Sequence, residues 1–299
     1  GLADFSKTTL TGIARINGGI WVDTIIGSTG NDTIRGGAGD DTVDGGNGSD
    51  TYLVGGTGDG FDTYKDSGTS GTDRIVATQS GTQIGLKNFS AASGIEEISA
   101  NGYSNVTIAM NGDGGLLDLS KTALTGIARI NGGAWVDTIV GSAGNDTIYG
   151  GGAGDTLIGG GGTDTAGYSG NYSSYKVTVA ANGDLTVQDL RGVDGTDLVK
   201  GFSYLQFADR TVAVSDLLPK QVDTTASAPT LTVGAASGNE DTAIALNVAA
   251  ALTDLDGSES LAISISGVPT GAKLSAGTNL GNGTWSLTPA QLGGLTITP

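Results

Sequence analysis

The sequence predicts an all-β chain in two parts. Residues 1–220 read as a parallel β-solenoid with a β-rich cap, and residues 221–299 as a β-sandwich domain. Three observations carry this. Glycine stands at 54 of 299 residues, about 18% against a usual level of about 7%. Branched apolar residues recur at a fixed nine-residue interval beside those glycines. From Gly167 onward the spacing changes to two-residue alternation around turn signals such as "NGD".

Composition removes the competing classes. Only five prolines are present and no Gly-X-Y triplet runs through the chain, which excludes a collagen helix. Disorder is the usual fate of a glycine-rich acidic chain, but the periodic Ile, Leu and Val argue against it. The formal charge is −17, from 31 acids and 14 bases, so the surface attracts cations and repels nucleic acid and anionic membrane. There is no cysteine, so disulfides play no part. No stretch approaches the 18 apolar residues of a membrane span. No signal peptide opens the chain. Its first residues already lie inside a repeat, so the natural protein is expected to extend upstream.

The frames begin at Gly18, Gly27, Gly36 and Gly45, and again at Gly132, Gly141, Gly150 and Gly159. The sixth residue is Asp in every one: Asp23, Asp32, Asp41, Asp50, Asp137, Asp146, Asp155 and Asp164. The eighth is Ile25, Ile34, Val43, Tyr52, Ile139, Ile148, Leu157 or Ala166. The two sets are a duplication. Asp4–Gly36 returns as Asp118–Gly150, with an offset of 135 − 21 = 114 taken from Trp135 and Trp21.

These frames resemble the G-G-x-G-x-D-x-U-x nonapeptide of the RTX (repeats-in-toxin) family. The resemblance implies a right-handed parallel β-roll with calcium-binding turns. Each nonapeptide is a six-residue turn and a three-residue strand, and two complete a coil of 18. Stacking then pairs Asp23 with Asp41, Asp32 with Asp50, Asp137 with Asp155, and Asp146 with Asp164. Paired carboxylates repel unless a cation lies between them. Oxygen donors in a flexible site suit Ca2+, whereas Mg2+ wants tighter octahedral geometry and zinc wants His or Cys, both absent.

The family implies the backbone ligands as well. Carbonyls of Gly19, Trp21, Gly36 and Ala38 would surround Asp23 and Asp41, and those of Ser28, Gly30, Gly45 and Asn47 would surround Asp32 and Asp50. The second copy gives Gly133, Trp135, Gly150 and Gly152, then Ser142, Gly144, Gly159 and Gly161. Trp21 and Trp135 replace the usual glycine at position four and are expected to distort their turns, and Ala153 replaces another. After Gly55 the register offers Asp59 or Asp62, and Asp59 is taken as the far partner of Asp41.

The remaining organisation follows. Residues 1–56 form the first roll and 118–167 the second. Residues 57–117 are read as irregular solenoid coils packed by Ile95, Ile98, Val106 and Ile108, the alternative being a separate small domain. Residues 168–220 are the cap, with Phe202, Tyr204, Leu205 and Phe207 as its plug; Asp194 and Asp197 are read as solvated turns, the alternative being a further ion site. Pro219–Thr230 reads as a linker. Residues 221–299 resemble the cadherin-like or immunoglobulin-like repeats of large bacterial adhesins, through "GNEDTAIAL" and "LTDLDGSESLAISISG". Asp254, Asp256 and Glu259, or Glu240 and Asp241, are weaker candidates for a calcium ion there. This domain is expected to be incomplete, wanting at least one more strand.

The function expected is a calcium-binding structural or adhesive module of a secreted bacterial protein, extracellular or attached to the cell surface. It would be exported by type I secretion machinery, fold on meeting calcium, and present a surface to an extracellular ligand of unspecified chemistry. The alternative is the calcium-binding tail of a secreted enzyme or toxin. The segment itself is expected to be no enzyme. Without His or Cys there is no Ser–His–Asp triad, no HExxH site and no thiol nucleophile. The paired aspartates recur at every turn, whereas a glycosidase pair should be unique.

Overall fold

The structure is a computed structural model describing residues 1–218, 227–254 and 259–299. It divides into two compact units, Gly1–Leu218 and Pro219–Pro299.

The first unit is a parallel solenoid of four sheets. Leu2–Asp4, Thr24–Ile26, Thr42–Asp44 and Thr63–Lys65 form one sheet. The facing sheet runs from Ile16–Gly19 through Thr33–Gly37, Thr51–Val54, Arg74–Ala77 and Glu97–Ser99 to Ala123–Thr125. A third takes over at Gln83–Leu86 and passes through Thr107–Met110, Arg129–Gly133, Thr147–Gly151 and Thr165–Gly167 to Tyr204–Gln206. The fourth joins Gly115–Asp118, Asp137–Val140, Thr156–Ile158 and Thr196–Lys200.

The register explains the nine-residue spacing. Side chains alternate along a strand, so a three-residue strand turns one residue inward. In the first sheet that column is Ile25–Val43–Tyr64. In the second it is Ile16–Ile34–Tyr52–Ile75–Ile98–Leu124. The third column is Ile84–Ile108–Ile130–Ile148–Ala166–Leu205, and the fourth Leu117–Ile139–Leu157–Val199. All eight eighth-position residues are buried. In the three-residue strands of the rolls the core is one side chain wide, and its members stack along the solenoid axis; Val54, Ala77, Leu86 and Met110 widen it in the longer strands.

The coil length is not constant. It is 43 − 25 = 18 residues in the first roll, then 75 − 52 = 23 and 124 − 98 = 26, and 148 − 130 = 18 again in the second. The middle coils therefore carry a third face. Ile95, Ile98, Val106 and Ile108 are all buried there, so residues 57–117 continue the solenoid.

The far end is closed by an antiparallel hairpin, Tyr175–Val179 with Leu185–Asp189, and by a cluster of Tyr168, Tyr172, Tyr175 and Phe207 rings. Phe202, Leu205 and Phe207 are buried, but Tyr204 is 40% exposed and is no part of the plug. It lies one residue from Leu205 on a strand, which turns it to the opposite face.

Among the described residues every strand pairing of the second unit is antiparallel. Thr230–Val233 pairs with Val248–Ala251, Ile244–Ala245 and Lys273–Leu274 flank Thr296–Thr298, and Ile263–Ile265 and Thr278–Gly281 flank Thr284–Leu287. Val268, Leu274, Trp285, Leu287, Leu292 and Leu295 form its core. Small packed antiparallel sheets of this kind are consistent with a β-sandwich. Of the acidic candidates there, Asp256 lies outside the described residues, as does most of the linker.

Candidate metal centre

Stacking turns the repeated aspartates into ladders along the solenoid edges. The backbone N–H of Asp23 donates to Asp41 Oδ1 at 2.8 Å, and that of Asp32 to Asp50 Oδ1 at 2.7 Å. In the second copy Asp137 donates to Asp155 and Asp146 to Asp164, both at 2.8 Å. The structure thus brings together all four pairs read at a spacing of 18. Each carboxylate ties its own turn to the turn one coil before.

These carboxylates are buried and only partly satisfied. Asp41, Asp50, Asp155 and Asp164 are almost completely inaccessible, and each keeps one buried oxygen, Oδ2, with no hydrogen-bond partner. A buried anionic oxygen without a partner is costly. Burial pushes the carboxyls of Asp50 and Asp155 up to about 6, with the facing aspartate one coil back adding to the effect. Burial likewise raises Asp41, Asp137, Asp146 and Asp164. Among the described residues Asp32 and Asp146 take no N–H from an earlier coil; their carboxylates instead accept the N–H of the serine four residues earlier, Ser28 and Ser142.

The turns place main-chain oxygens between the coils. A methyl on Gly37 would overlap the Gly19 carbonyl, and one on Gly46 would meet that of Ser28. The second copy repeats this with Gly151 against Gly133 and Gly160 against Ser142. The carbonyls of Gly36, Gly45, Gly150 and Gly159 point back at Gly18, Gly27, Gly132 and Gly141. Position-four oxygens of Gly30 and Gly144 face Gly48 and Gly162. Glycine is needed because a side chain would occupy the space where these oxygens converge. The position-three residues Ala38, Gly152 and Gly161 instead donate their N–H groups across the coil, to Gly19, Gly133 and Ser142; Asn47 accepts from Thr69 with its side chain.

The two tryptophans fit without a left-handed backbone. Position four has positive φ at Gly39, Gly48, Gly162 and Ala153, but not at Trp21 or Trp135. Both indoles point outward, 76% and 60% exposed. Ala153, with φ of 74°, is the residue that pays for departing from glycine.

The register after Gly55 resolves differently from the expectation. Asp62, not Asp59, stands one coil beyond Asp41 and accepts its N–H at 2.9 Å. Asp59 accepts Gly55 N–H and pairs with Arg35 at 3.0 Å. Here the N–H four residues earlier and the N–H one coil back are taken by two different aspartates, Asp59 and Asp62. Sequence reading also missed Asp73, which accepts Asp50 N–H at 2.6 Å, and Glu96, which accepts Asp73 N–H at 2.7 Å. Asp197 is buried, not solvated, and accepts Asp155 N–H at 2.9 Å. Asp194 is buried too, bonded to Ser169 and Tyr175 and paired with Arg191. Continuing each column of Asp, rather than the fixed interval, would have found Asp62, Asp73 and Asp197.

Among the described residues no three Asp, Glu, His or Cys side chains converge closely enough to hold a metal by themselves. A site here needs carbonyl oxygens beside its two carboxylates, and the turns supply them. Hard oxygen donors in that mixture fit Ca2+. Among the described residues no helix is long and apolar enough to cross a membrane.

No curated protein matches the chain in a sequence comparison. Residues 17–52 and 130–166 match the family model of the RTX calcium-binding nonapeptide repeat, in four copies. Those stretches are the 18-residue coils whose aspartate ladders and inter-coil carbonyls are described above. The parallel solenoid thus carries RTX calcium-binding nonapeptide repeats in both of its regular rolls, which supports an RTX β-roll.

Proposed function

We propose that the segment is a calcium-binding structural and adhesive module of a secreted bacterial protein, unfolded during export and folded by calcium outside the cell. The observation that carries the reading is the set of buried, partnerless Oδ2 atoms on Asp41, Asp50, Asp155 and Asp164. Asp23 with Asp41, Asp32 with Asp50, Asp137 with Asp155 and Asp146 with Asp164 would hold the ions, together with the carbonyls converging on each pair. Calcium, when bound, supplies the positive charge these oxygens lack.

The chain's own residues set the response. Glycine-rich turns are entropically costly to order, and stacked carboxylates add repulsion. A ligand of the folded state alone, at ten times its Kd, contributes about 1.4 kcal/mol per site. Extracellular calcium modules bind with Kd of about 10⁻⁴–10⁻³ M, weak enough to stay empty inside a cell. An adhesive role is supported by the second β-unit that follows the roll, with its small antiparallel sheets. A non-enzymatic role is supported by the lack of His and Cys.

Circular dichroism during a calcium titration after EGTA treatment tests this. The solenoid's share of the β signal, the larger one, is expected to be lost in EGTA and restored by millimolar calcium. A signal indifferent to chelation overturns the reading.

A further inference from the structure

A cavity of about 550 Å³ opens inside the second unit, between the loops 267–272 and 279–283. Its volume falls within the range of small-ligand pockets, about 300–1,000 Å³. Both loops are held in shape. Asn282 and Gly283, with φ of 50° and 70°, are the two central residues of a hairpin turn, since Gly281 pairs with Thr284. Thr270 and Gly271 form the other turn, with φ of 103° at Gly271 and Ala272 N–H donating to the Pro269 carbonyl at 3.1 Å. Val268 N–H donates to the Gly283 carbonyl at 3.0 Å and ties one loop to the other. A methyl on Gly283 would sit 2.6 Å from the Val268 carbonyl oxygen, so glycine is what lets the loops approach this closely. Over Gly267, Gly271 and Gly281 a methyl would meet nothing within 4 Å, and the space above their backbones is open.

The floor of the cavity carries an unpaired donor. Trp285 belongs to the core of the unit and is only 9% exposed, yet its indole N–H has no hydrogen-bond partner among the described residues. A buried indole N–H usually finds one. Nor is that nitrogen sealed from solvent, and the cavity is lined by the same side chain. Asn279 stands opposite Trp285 across the sheet, on the same face. Its Oδ1 accepts Gly281 N–H at 2.8 Å, which fixes the amide and leaves its Nδ2 donors free. The side chains of Asn282 and Thr270 also line the cavity and have no partner among the described residues. No Asp, Glu, Lys or Arg lines it, in a chain that carries 31 acids and 14 bases.

These groups select a ligand by its chemistry. A charged group entering the cavity would be desolvated with no counter-charge. An apolar one would leave the indole N–H and the amides unpaired. An extended peptide would need a free strand edge, but Trp285 sits on the middle strand of its sheet, paired on both sides. A neutral molecule with an apolar face for the indole, and with hydroxyls that both donate and accept, satisfies every group. We propose that this cavity binds an uncharged saccharide, a sugar ring lying on Trp285 with its hydroxyls on Asn279, Asn282 and Thr270. The inference rests on the adhesive part of the proposed function, whose partner it names by class, and owes nothing to the calcium part.

The test applies the whole chain, in millimolar calcium, to an array of uncharged, sialylated and sulfated glycans, and then titrates it calorimetrically with the uncharged glycan that is held most strongly. Thr270→Val and Asn282→Gly each remove one hydrogen-bonding group, the second with a residue that accepts the turn's φ of 50°. Each variant is expected to keep its β spectrum and to bind about two- to tenfold more weakly, the worth of one hydrogen bond. Capture of sialylated or sulfated glycans only, or of none, overturns the proposal and leaves the calcium reading standing. Full-strength binding by both variants overturns it as well. Should the variants unfold, hydrogen exchange of the wild type with the glycan bound decides. Slowed amides in 267–272 and 279–283 support the site. Slowing confined to other places, such as the turns of Trp21 and Trp135, removes it while an adhesive role survives.

Discussion

At the scale of single residues, the turns tolerate little change. Gly37 combines φ of 107° with a carbonyl where its side chain would be. Gly37→Ala is expected to cost about 1–3 kcal/mol, read as a lower thermal midpoint in calcium. Ala153 presents the reverse case. It holds a left-handed φ of 74°, and Ala153→Gly should gain about 1 kcal/mol by the same measurement. A fall in midpoint for that variant would remove the strain argument. The aspartates give a pH dependence with a definite sign. In the calcium-free fold Asp50 and Asp155 sit at about 6, and Asp62, Asp73 and Asp197 at about 7, all pushed up by burial. Unfolded aspartate titrates near 3.9. A folded pKa above the unfolded one means that the folded form holds extra protons between those values. The stabilisation is complete below about pH 4 and is lost as pH rises through 6–7. Lowering the pH from 7.5 to 5 should therefore raise the β signal of the calcium-free chain, and calcium binding at pH 6.5 should release protons in calorimetry. An apo β signal that falls on mild acidification contradicts this.

At the scale of elements, a three-residue strand inside a roll is held by one inward side chain and its two neighbouring strands. Ile34 and Ile148 are completely buried, one strand in each roll. Truncating either to Ala should cost about 2–5 kcal/mol and raise the calcium needed for half-maximal folding. Equal calcium midpoints for variant and wild type would show that packing and metal binding are uncoupled. The strands were the legible part of the sequence, because a three-residue strand leaves one inward position and Ile25, Ile34, Val43 and Tyr52 marked it without ambiguity. The irregular turns were not legible. Asp62 and Asp73 lie 21 and 23 residues beyond their partners Asp41 and Asp50, so a fixed interval passes them by. Asp197 lies 42 beyond Asp155, with a whole hairpin between them. Nor could spacing show that Arg35 serves Asp59, since its counterpart in the duplicated copy is Tyr149.

At the scale of the whole molecule, the two units answer to different forces. The solenoid buries a thin core and depends on its edges, whereas the unit 219–299 is packed around Trp285, Leu287 and Leu295. Scanning calorimetry is expected to show two transitions. The larger should move down by tens of degrees in EGTA, and the smaller should stay within a few degrees of its position in calcium. A single transition that shifts as one would mean that the units unfold together.

The lengthened coils between the two rolls bear on how the molecule assembles. In a stack where each coil touches only its neighbours, order spreads from whichever coil forms most readily. The stretch from Arg74 to Thr125 has three faces lined by Ile75, Ile84, Ile98, Ile108 and Leu117, and no nonapeptide frame to wait for an ion. It is therefore expected to be the seed from which two growth fronts advance, one toward each end, each step gated by the arrival of metal. In pulsed hydrogen exchange after calcium is added, the amides of Ile84 and Ile108 should become protected before those of Ile25 and Leu157. A chain built this way starts from its centre, and a chelator added midway would freeze it with ordered middle coils and loose ends.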